Sequence, residues 1–262
     1  MNRQARLNAL LELLGSRGGV EVREAAAELH VSPATVRRDL DALAEQQLLL
    51  RTRGGAVPTH VNYALPIPYR QGARPRHRTA VARRAAAMIE PGAVVGLSGG
   101  TTTTEIARHL ARRPEFGDPA ADPALVLVTN ALNIAHELAV RPQIRTVVTG
   151  GVAHARSFEL SGTFAETVLA QLTLDIAFIG AEGVSVAAGA SVRSEEEAAV
   201  NALMARQARR AWVVADSAKL GTRHFARIGG PELFDGLLTD TAVEPKTARE
   251  FDDAGLPVTR CP

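Results

Sequence analysis

Cysteine is all but missing from this 262-residue chain: Cys261, one residue from the C-terminus, stands alone, so no internal disulfide can form. A reduced, cytoplasmic setting is therefore expected. No apolar run approaches the ~20 residues that a membrane helix needs, and the N-terminus has no signal-peptide apolar core, so no membrane partner is expected. The seven histidines fall at no metal-binding spacing, and neither a metal site nor a cofactor is expected. Lysine is scarce as well: of 30 basic residues, only Lys219 and Lys246 are lysine. What is present is apolar content of 46%, enough for an ordinary buried core, in a length that suits one large domain or a small domain joined to a larger one.

The net charge of +2 is unevenly spread. Residues 1–84 carry 14 arginines against 7 acids, whereas residues 85–262 carry 16 bases against 21 acids. A basic end on a mildly acidic body predicts that the N-terminal part meets a polyanion.

Three regions stand out along the chain. Residues 1–57 read as short helices and a hairpin. Residues 58–75 form a linker marked by Pro58, Pro66, Pro68 and Pro75. From 76 to 262, short apolar runs alternate with helix-period segments. The runs are AVVGL (93–97), LVLVT (125–129), TVVT (146–149), DIAFIG (175–180), WVVAD (212–216) and GLLTD (236–240). Buried strands alternating with helices predict an α/β fold with a mostly parallel sheet covered on both faces. A helix over 78–90, carrying Val81, Ala85, Met88 and Ile89, enters this domain.

In the N-terminal region Leu7, Leu10, Leu11 and Leu14 share one face of a first helix that ends near Gly15, and EVREAAAELHV supplies a second. The third begins firmly, with Ser32 as N-cap and Pro33 at the first helical position. Val36, Leu40 and Leu43 form its core stripe. Its exposed N-terminal half therefore offers Ser32, Thr35, Arg37 and Arg38, the half that a recognition helix presents to the major groove. Arginine can bond guanine bidentately, and serine and threonine suit phosphates or base edges. After the helix, Arg51 and Arg53 are two apart, so a strand would carry both on one face, and Gly54-Gly55 provide a turn or wing tip. Three helices and a basic hairpin make a winged helix-turn-helix; the alternative is a small helical bundle merely solvated by arginines.

The stretch SPATVRRDLDALAEQQLLLRTRGGA strongly resembles the signature of the DeoR family of bacterial transcriptional regulators, and the C-terminal region resembles that family's sensor domain. The resemblance implies a winged helix on double-stranded operator DNA, joined to an α/β sensor for phosphorylated sugars or related metabolites. It also implies a sensor fold akin to ribose-5-phosphate isomerase.

Candidate effector residues come from the strand ends: Ser98 to Thr103, Thr129-Asn130, Gly150-Gly151, Ala181-Glu182-Gly183 and Asp216 to Lys219. Ligands of open α/β sheets bind beyond the carboxyl ends of strands. In SGGTTTTE, Gly99 and Gly100 allow close backbone approach, and Thr102 with Glu105 fits a capping box. The helix start then faces the loop with free N–H groups, a favourable place for a phosphate, with Thr101, Thr102 and Thr103 as further donors. Lys219 in DSAKLG matches the family's DSSK element near the ligand. Ser194 and Glu197 fit a second capping box; Glu195 and Glu196 read as structural, while Glu197 matches a family acid near the pocket. The chain departs from many family members at Ser98, which replaces an acid, and at Glu182, where GAEG replaces GADG. The effector-binding set is thus Ser98, Gly99, Gly100, Thr101, Thr102, Thr103, Asn130, Gly151, Glu182, Glu197 and Lys219.

Two functions compete. The first is a regulator, a repressor of a sugar or carbohydrate catabolic operon, working as a homo-oligomer because two operator half-sites need two reading heads. The second is a phosphosugar isomerase-like enzyme with an accessory DNA-binding segment. An isomerase needs a positioned general base, and no acid pair is placed by the sequence, so no catalytic residue is assigned and the regulator is favoured. A constitutive DNA-binding module with a vestigial pocket is a third possibility.

Overall fold

The computed structural model describes residues 3–17, 19–46, 48–57, 75–116 and 124–262. Its contacts divide the chain into two compact units, Met1–Arg74 and Pro75–Pro262.

In the first unit, helix α1 (Arg3–Arg17) leads to strand β1 (Val20–Glu21), α2 (Val22–Glu28) and α3 (Pro33–Glu45), then to β2 (Leu50–Arg51) and β3 (Gly55–Val57). The three short strands pair in the order β1-β3-β2, both pairings antiparallel, which makes the hairpin a wing on the helices. Leu7, Leu10, Leu11 and Leu14 meet Val36, Leu40 and Leu43 in one buried cluster with Val22, Ala25, Leu49 and Ala56. The predicted stripes are thus the faces that bury. Beneath α3 lies Asp39, buried, accepting two hydrogen bonds from the Arg6 guanidinium of α1. α1 runs two residues past the expected end at Gly15.

The second unit opens with α4 (Pro75–Ala86), so Pro75, expected in the linker, begins a helix, and that helix ends short of residue 90. The rest of the expected linker, 58–74, lies outside the described residues. Then follow β4 (Val94–Leu97), α5 (Thr101–Leu110), β5 (Leu125–Thr129), α6 (Leu132–Leu138), β6 (Ile144–Val148), β7 (Val152–Ala153), β8 (Leu160–Ser161), α7 (Thr163–Leu169) and β9 (Ile176–Gly180). The chain continues through β10 (Gly183–Ser185), β11 (Gly189–Val192), α8 (Glu195–Arg206), β12 (Ala211–Val214), β13 (Ala226–Gly229), β14 (Gly236–Asp240), α9 (Pro245–Asp253) and β15 (Val258–Cys261).

Seven strands form one sheet in the order β15-β14-β12-β9-β4-β5-β6, and every pairing in it is parallel. Side chains alternate between its two faces, as the pleat requires. On β9, Ile176 and Phe178 join one apolar cluster with Val81, Ile106 and Ile134, while Ala177 and Ile179 join the other with Leu169, Val200 and Met204. A parallel sheet buried on both sides explains why its strands read as continuous apolar runs. β15 was not among the expected strands, nor were the antiparallel sheet β10-β11-β13 and the β7-β8 hairpin. These strands are short or polar and interrupted by glycine, so they lack the long apolar run that marked the others.

The order of connection fixes the site. From β4 the chain winds outward through β5 to β6, then returns to the other side of β4 at β9 and winds away through β12, β14 and β15. The winding direction reverses between β4 and β9, and the carboxyl ends of these two strands flank a crevice of the kind that holds ligands in doubly wound sheets.

Candidate DNA and effector sites

In the DNA-binding unit, Ser32 caps α3: its Oγ accepts the Thr35 N–H at 3.1 Å and lies 2.9 Å from the Thr35 hydroxyl. Both hydroxyls are therefore already engaged in the cap. Arg37 and Arg38 are exposed on the same end of the helix, opposite buried Val36 and Leu40, and neither makes an ion pair among the described residues. The wing divides its two arginines. Arg51 Nε donates to Asp41 of α3 at 2.7 Å and its Nη1 donates to the Gly55 carbonyl, so it braces the wing against the helix. Arg53 lies past the end of β2, exposed at the bend beside Gly54, and the expected strand carrying both arginines on one face does not form. Gly55 is part of β3, leaving Gly54 at the wing tip.

In the larger unit, β4 ends at Leu97 and the helix begins at Thr101, with Gly100 as its N-cap at φ 130°. The expected Thr102–Glu105 capping box does not form, because the N-cap is Gly100 and the helix starts two residues earlier. Glu105 instead lies 3.6 Å from both Arg108 and His109. The hydroxyls of Thr103 and Thr104 donate to the Gly100 carbonyl at 3.0 and 2.6 Å. Thr101 is half-buried, and the buried Thr102 Oγ1 has no partner among the described residues. With the first N–H groups of α5 free of helical bonds, the turn presents donors and the positive end of the helix to the crevice.

Ser98, fully buried, serves the sheet: its Oγ accepts the Gly180 N–H at 2.9 Å, tying β4 to β9 at the point of reversal. Gly151 packs on the β7-β8 hairpin, where a Cβ would lie 2.5 Å from the Ser161 carbonyl.

The centre of the site is a residue that the sequence reading passed over. Glu159, buried ahead of β8, lies against Gly99: a Cβ added there would sit 2.2 Å from Glu159 Cγ and 2.5 Å from its Oε1. Its Oε2 accepts from the side-chain amides of Asn130, after β5, at 3.2 Å and of Asn201, on α8, at 3.1 Å. Both asparagines are fully buried. Glu197 stands nearby, its N–H capped by Ser194 and its carboxylate turned inward to accept from the Ser157 hydroxyl, 3.3 Å from His154 Nδ1. Only half of the second capping box is therefore made: Ser194 caps the helix, but Glu197 looks into the site. Burial pushes the Glu159 carboxyl up to about 8, the negative charges of Glu197 and Glu182 push the same way, and the two amides offset them only in part.

Glu182 is held on the β9–β10 turn by Arg193, whose backbone N–H and guanidinium bond its two oxygens at 3.0 and 2.9 Å. Lys219 reaches the same turn, its Nζ donating to the Ala181 carbonyl at 2.7 Å. The loop carrying it is anchored by Asp240, which accepts the Ser217 N–H at 2.8 Å and pairs with His77 of α4 at 2.9 Å. Burial pushes the Asp240 carboxyl up, but the N–H groups of Ser217 and Ala242 and the His77 ring outweigh it and hold it below the usual value.

The structure thus brings Gly99, Asn130 and Glu197 together around Glu159, with Glu182 and Lys219 on the next turn. Ser98 bonds the neighbouring strand and Gly151 packs on the β7-β8 hairpin. Glu159, Asn201, Ser157, His154 and Arg193 are additions. The sequence placed no acid pair; the structure buries both Glu159 and Glu197, and the Glu197 charge adds to the burial that raises the Glu159 carboxyl. Among the described residues no cluster of His, Cys, Asp or Glu could hold a metal ion, and no helix is long and apolar enough to cross a membrane.

Both units match known domains. The DeoR-like helix-turn-helix domain matches residues 6–60, and the DeoR C terminal sensor domain matches residues 74–241. The chain belongs to the DeoR family. It is 31% identical to the HTH-type transcriptional regulator GlpR of Haloferax volcanii, over 97% of this chain and 96% of that one. It is 26% identical to the glycerol-3-phosphate regulon repressor of Escherichia coli K12 over the full length of both, and 31% identical to the HTH-type transcriptional repressor GlcR of Bacillus subtilis 168, over 92% and 89%. Among solved structures, ribose 5-phosphate isomerase A of Methanocaldococcus jannaschii overlaps 56% of this chain and 55% of its own, with a TM-score of 0.38 and 18% identity. As a DeoR-family protein, the chain is a DNA-binding transcriptional regulator with a sensor domain.

Proposed function

We propose that this regulator represses a carbohydrate or polyol catabolic operon and leaves its operator when a phosphorylated sugar or related metabolite occupies the crevice between β4 and β9. The observation that carries the sensing half is the start of α5: free N–H groups beside Gly99 and Gly100, with Thr102 Oγ1 buried and, among the described residues, unpartnered at the point of winding reversal. The phosphate sits on Gly99 to Thr103, and Asn130, Glu197, Glu182 and Lys219 border the rest of the ligand. Support comes from the relatives, one named for glycerol 3-phosphate and others named as repressors. Residues 1–57 bind DNA through Arg37, Arg38 and Arg53, residues 58–75 connect, and residues 76–262 sense. Two operator half-sites call for a homo-oligomer, and a DNA-bound regulator works in the cytoplasm. The effector acts by linkage, binding more tightly to a sensor state or assembly whose winged helices no longer fit the half-sites.

The test is operator binding by gel shift on the promoter beside the gene, repeated with a panel of sugar and polyol phosphates. Arg38→Ala is expected to lower specific affinity by roughly 5- to 150-fold, the range for losing one base-reading arginine. One phosphorylated compound is expected to release the DNA, and Thr102→Ala or Lys219→Ala to abolish that release. Undiminished operator binding by Arg38→Ala, or release only by unphosphorylated sugars, overturns the reading.

The Glu159–Glu197 pair favours one second reading, an isomerase-like enzyme, since a carboxyl with a raised pKa suits general acid–base work. Turnover of the releasing compound would establish it; we infer that the compound is bound and released unchanged.

A further inference from the structure

Resting on the phosphate reading of the α5 turn, we propose that Glu159 binds the effector phosphate as a neutral carboxylic acid, donating a hydrogen bond from Oε1, so that effector binding is linked to one proton on this side chain.

The geometry leaves Oε1 for this task. Both buried amides, from Asn130 and Asn201, bond Oε2, and among the described residues Oε1 takes no hydrogen bond. Oε1 instead lies against Gly99, at the turn where α5 presents its free N–H groups. Among the described residues, Thr102 Oγ1 and Asn130 Oδ1, buried at this turn and at the neighbouring strand end, have no partner. A phosphate oxygen accepts from the Thr102 hydroxyl, and a hydroxyl of the ligand donates to Asn130 Oδ1.

An ionised carboxylate against that turn would oppose a phosphate, whereas a neutral acid adds a donor. The groups facing Glu159 keep it neutral: Glu197 from α8 and Glu182 from the β9–β10 turn are acidic, Asn130 and Asn201 are uncharged, and Gly99 carries no side chain. The nearby basic groups are engaged elsewhere, the Lys219 ammonium donating to the Ala181 carbonyl. Arg193 pairs with Glu182, and His154 stands beside Glu197 rather than Glu159. With the Glu159 proton held up to about pH 8, the neutral form is in place across the neutral range. The proton stays on Glu159 and is shared with a phosphate oxygen; no bond to the ligand forms or breaks.

The experiment uses the full chain with inorganic phosphate as probe, in phosphate-free bis-Tris propane from pH 6.5 to 9.5, by calorimetry, for wild type and Glu159→Gln. Glutamine is neutral at every pH and keeps a donor. Wild-type affinity is expected to hold to about pH 8 and then fall about tenfold per unit as Glu159 loses its proton, with proton uptake visible in buffers of different ionisation enthalpy. Glu159→Gln is expected to bind at pH 7 and to lose most of that fall and uptake.

A ligand-free control isolates the proton itself. The folded protein keeps it and the unfolded chain releases it near the ordinary value of 4.5, so this group favours folding below pH 4.5 and loses that contribution as pH rises to about 8. The wild-type melting temperature should therefore drop against that of Glu159→Gln over this window. Equal falls in phosphate affinity for both proteins above pH 8, or parallel melting profiles, overturn the role of Glu159 and leave the phosphate reading standing. Wild type that binds no phosphate at pH 7 overturns the phosphate reading and this inference with it.

Discussion

The two units of this regulator handle polar chemistry in opposite ways. On α3 of the DNA-binding unit, Arg37 and Arg38 project into solvent from the face opposite the apolar stripe, with no ion pair among the described residues. In the sensor, Glu159, Asn130 and Asn201 are buried and bonded to one another across three elements, and buried Glu197 accepts from Ser157 beside them. A polyanion of fixed shape is met by charges that wait in water, with little cost to the fold. A small ligand needs a dry, pre-arranged cage, and burying those groups costs stability unless each finds a partner. Substitutions should therefore separate the two: in the reading surface they change affinity and spare the fold, while in the cage they change both.

The largest expected effect on stability is at Gly99. Its backbone approaches Glu159 so closely that a methyl group would lie 2.2 Å from Glu159 Cγ. Gly99→Ala must push that buried carboxyl off its two amide donors, and we expect a loss of up to about 3 kcal/mol, read as a lowered melting temperature of the sensor. Response to phosphorylated compounds should vanish while operator binding survives. An unshifted melting temperature would show that the cage yields, and the contrast between the units would blur.

The contrast also explains what was legible in the sequence. The winged helix was readable almost residue by residue because its signals are local: the leucines of α1 repeat at helical spacing, and Ser32-Pro33 marks the start of α3. The parallel sheet was equally plain, because strands buried on both faces are long apolar runs. The cage was not. Glu159 sits between Phe158 and Leu160 in a hairpin too short for a periodic signal, and nothing local tells that its partners come from residues 130 and 201. Asn201 offered the one available clue, an amide within the apolar stripe of Val200 and Met204 on α8. Ser98 shows the same limit. Its place after β4 suggests the ligand, and only the neighbouring strand reveals that its hydroxyl holds Gly180.

Asp39 tests the contrast from the other side, as a buried charge inside the DNA-binding unit. It joins α3 to α1 through Arg6. Asp39→Ala removes charge-assisted hydrogen bonds and leaves the Arg6 guanidinium without its partner, at an expected cost of about 2 kcal/mol. Faster amide exchange in α1 and α3 would report it, with sensor amides unchanged. In parallel, Arg38→Ala, one position away but exposed, should leave exchange within about 0.5 kcal/mol of wild type and still weaken operator binding. If both variants behave alike in both assays, exposure is not what separates reading from holding.

Ser32 gives the smallest effect and the finest test, because it lies on the reading surface yet acts structurally. Its Oγ accepts the Thr35 N–H, so the hydroxyl is already committed before DNA arrives. Ser32→Ala removes the side-chain acceptor, leaving the Thr35 N–H only the Ser32 carbonyl at 3.0 Å, and should cost about 1 kcal/mol, whereas Ser32→Gly should cost only a few tenths, since glycine tolerates the N-cap position. Operator affinity follows one of two patterns. If Ser32 contributes only by fixing the start of α3, affinity should track helix exchange, with the alanine variant weaker than the glycine variant. If the hydroxyl itself bonds DNA, both variants lose it equally and affinity falls equally in both. The cap geometry favours the first pattern, with Arg37 and Arg38 as the groups that read and Ser32 as the group that aims them.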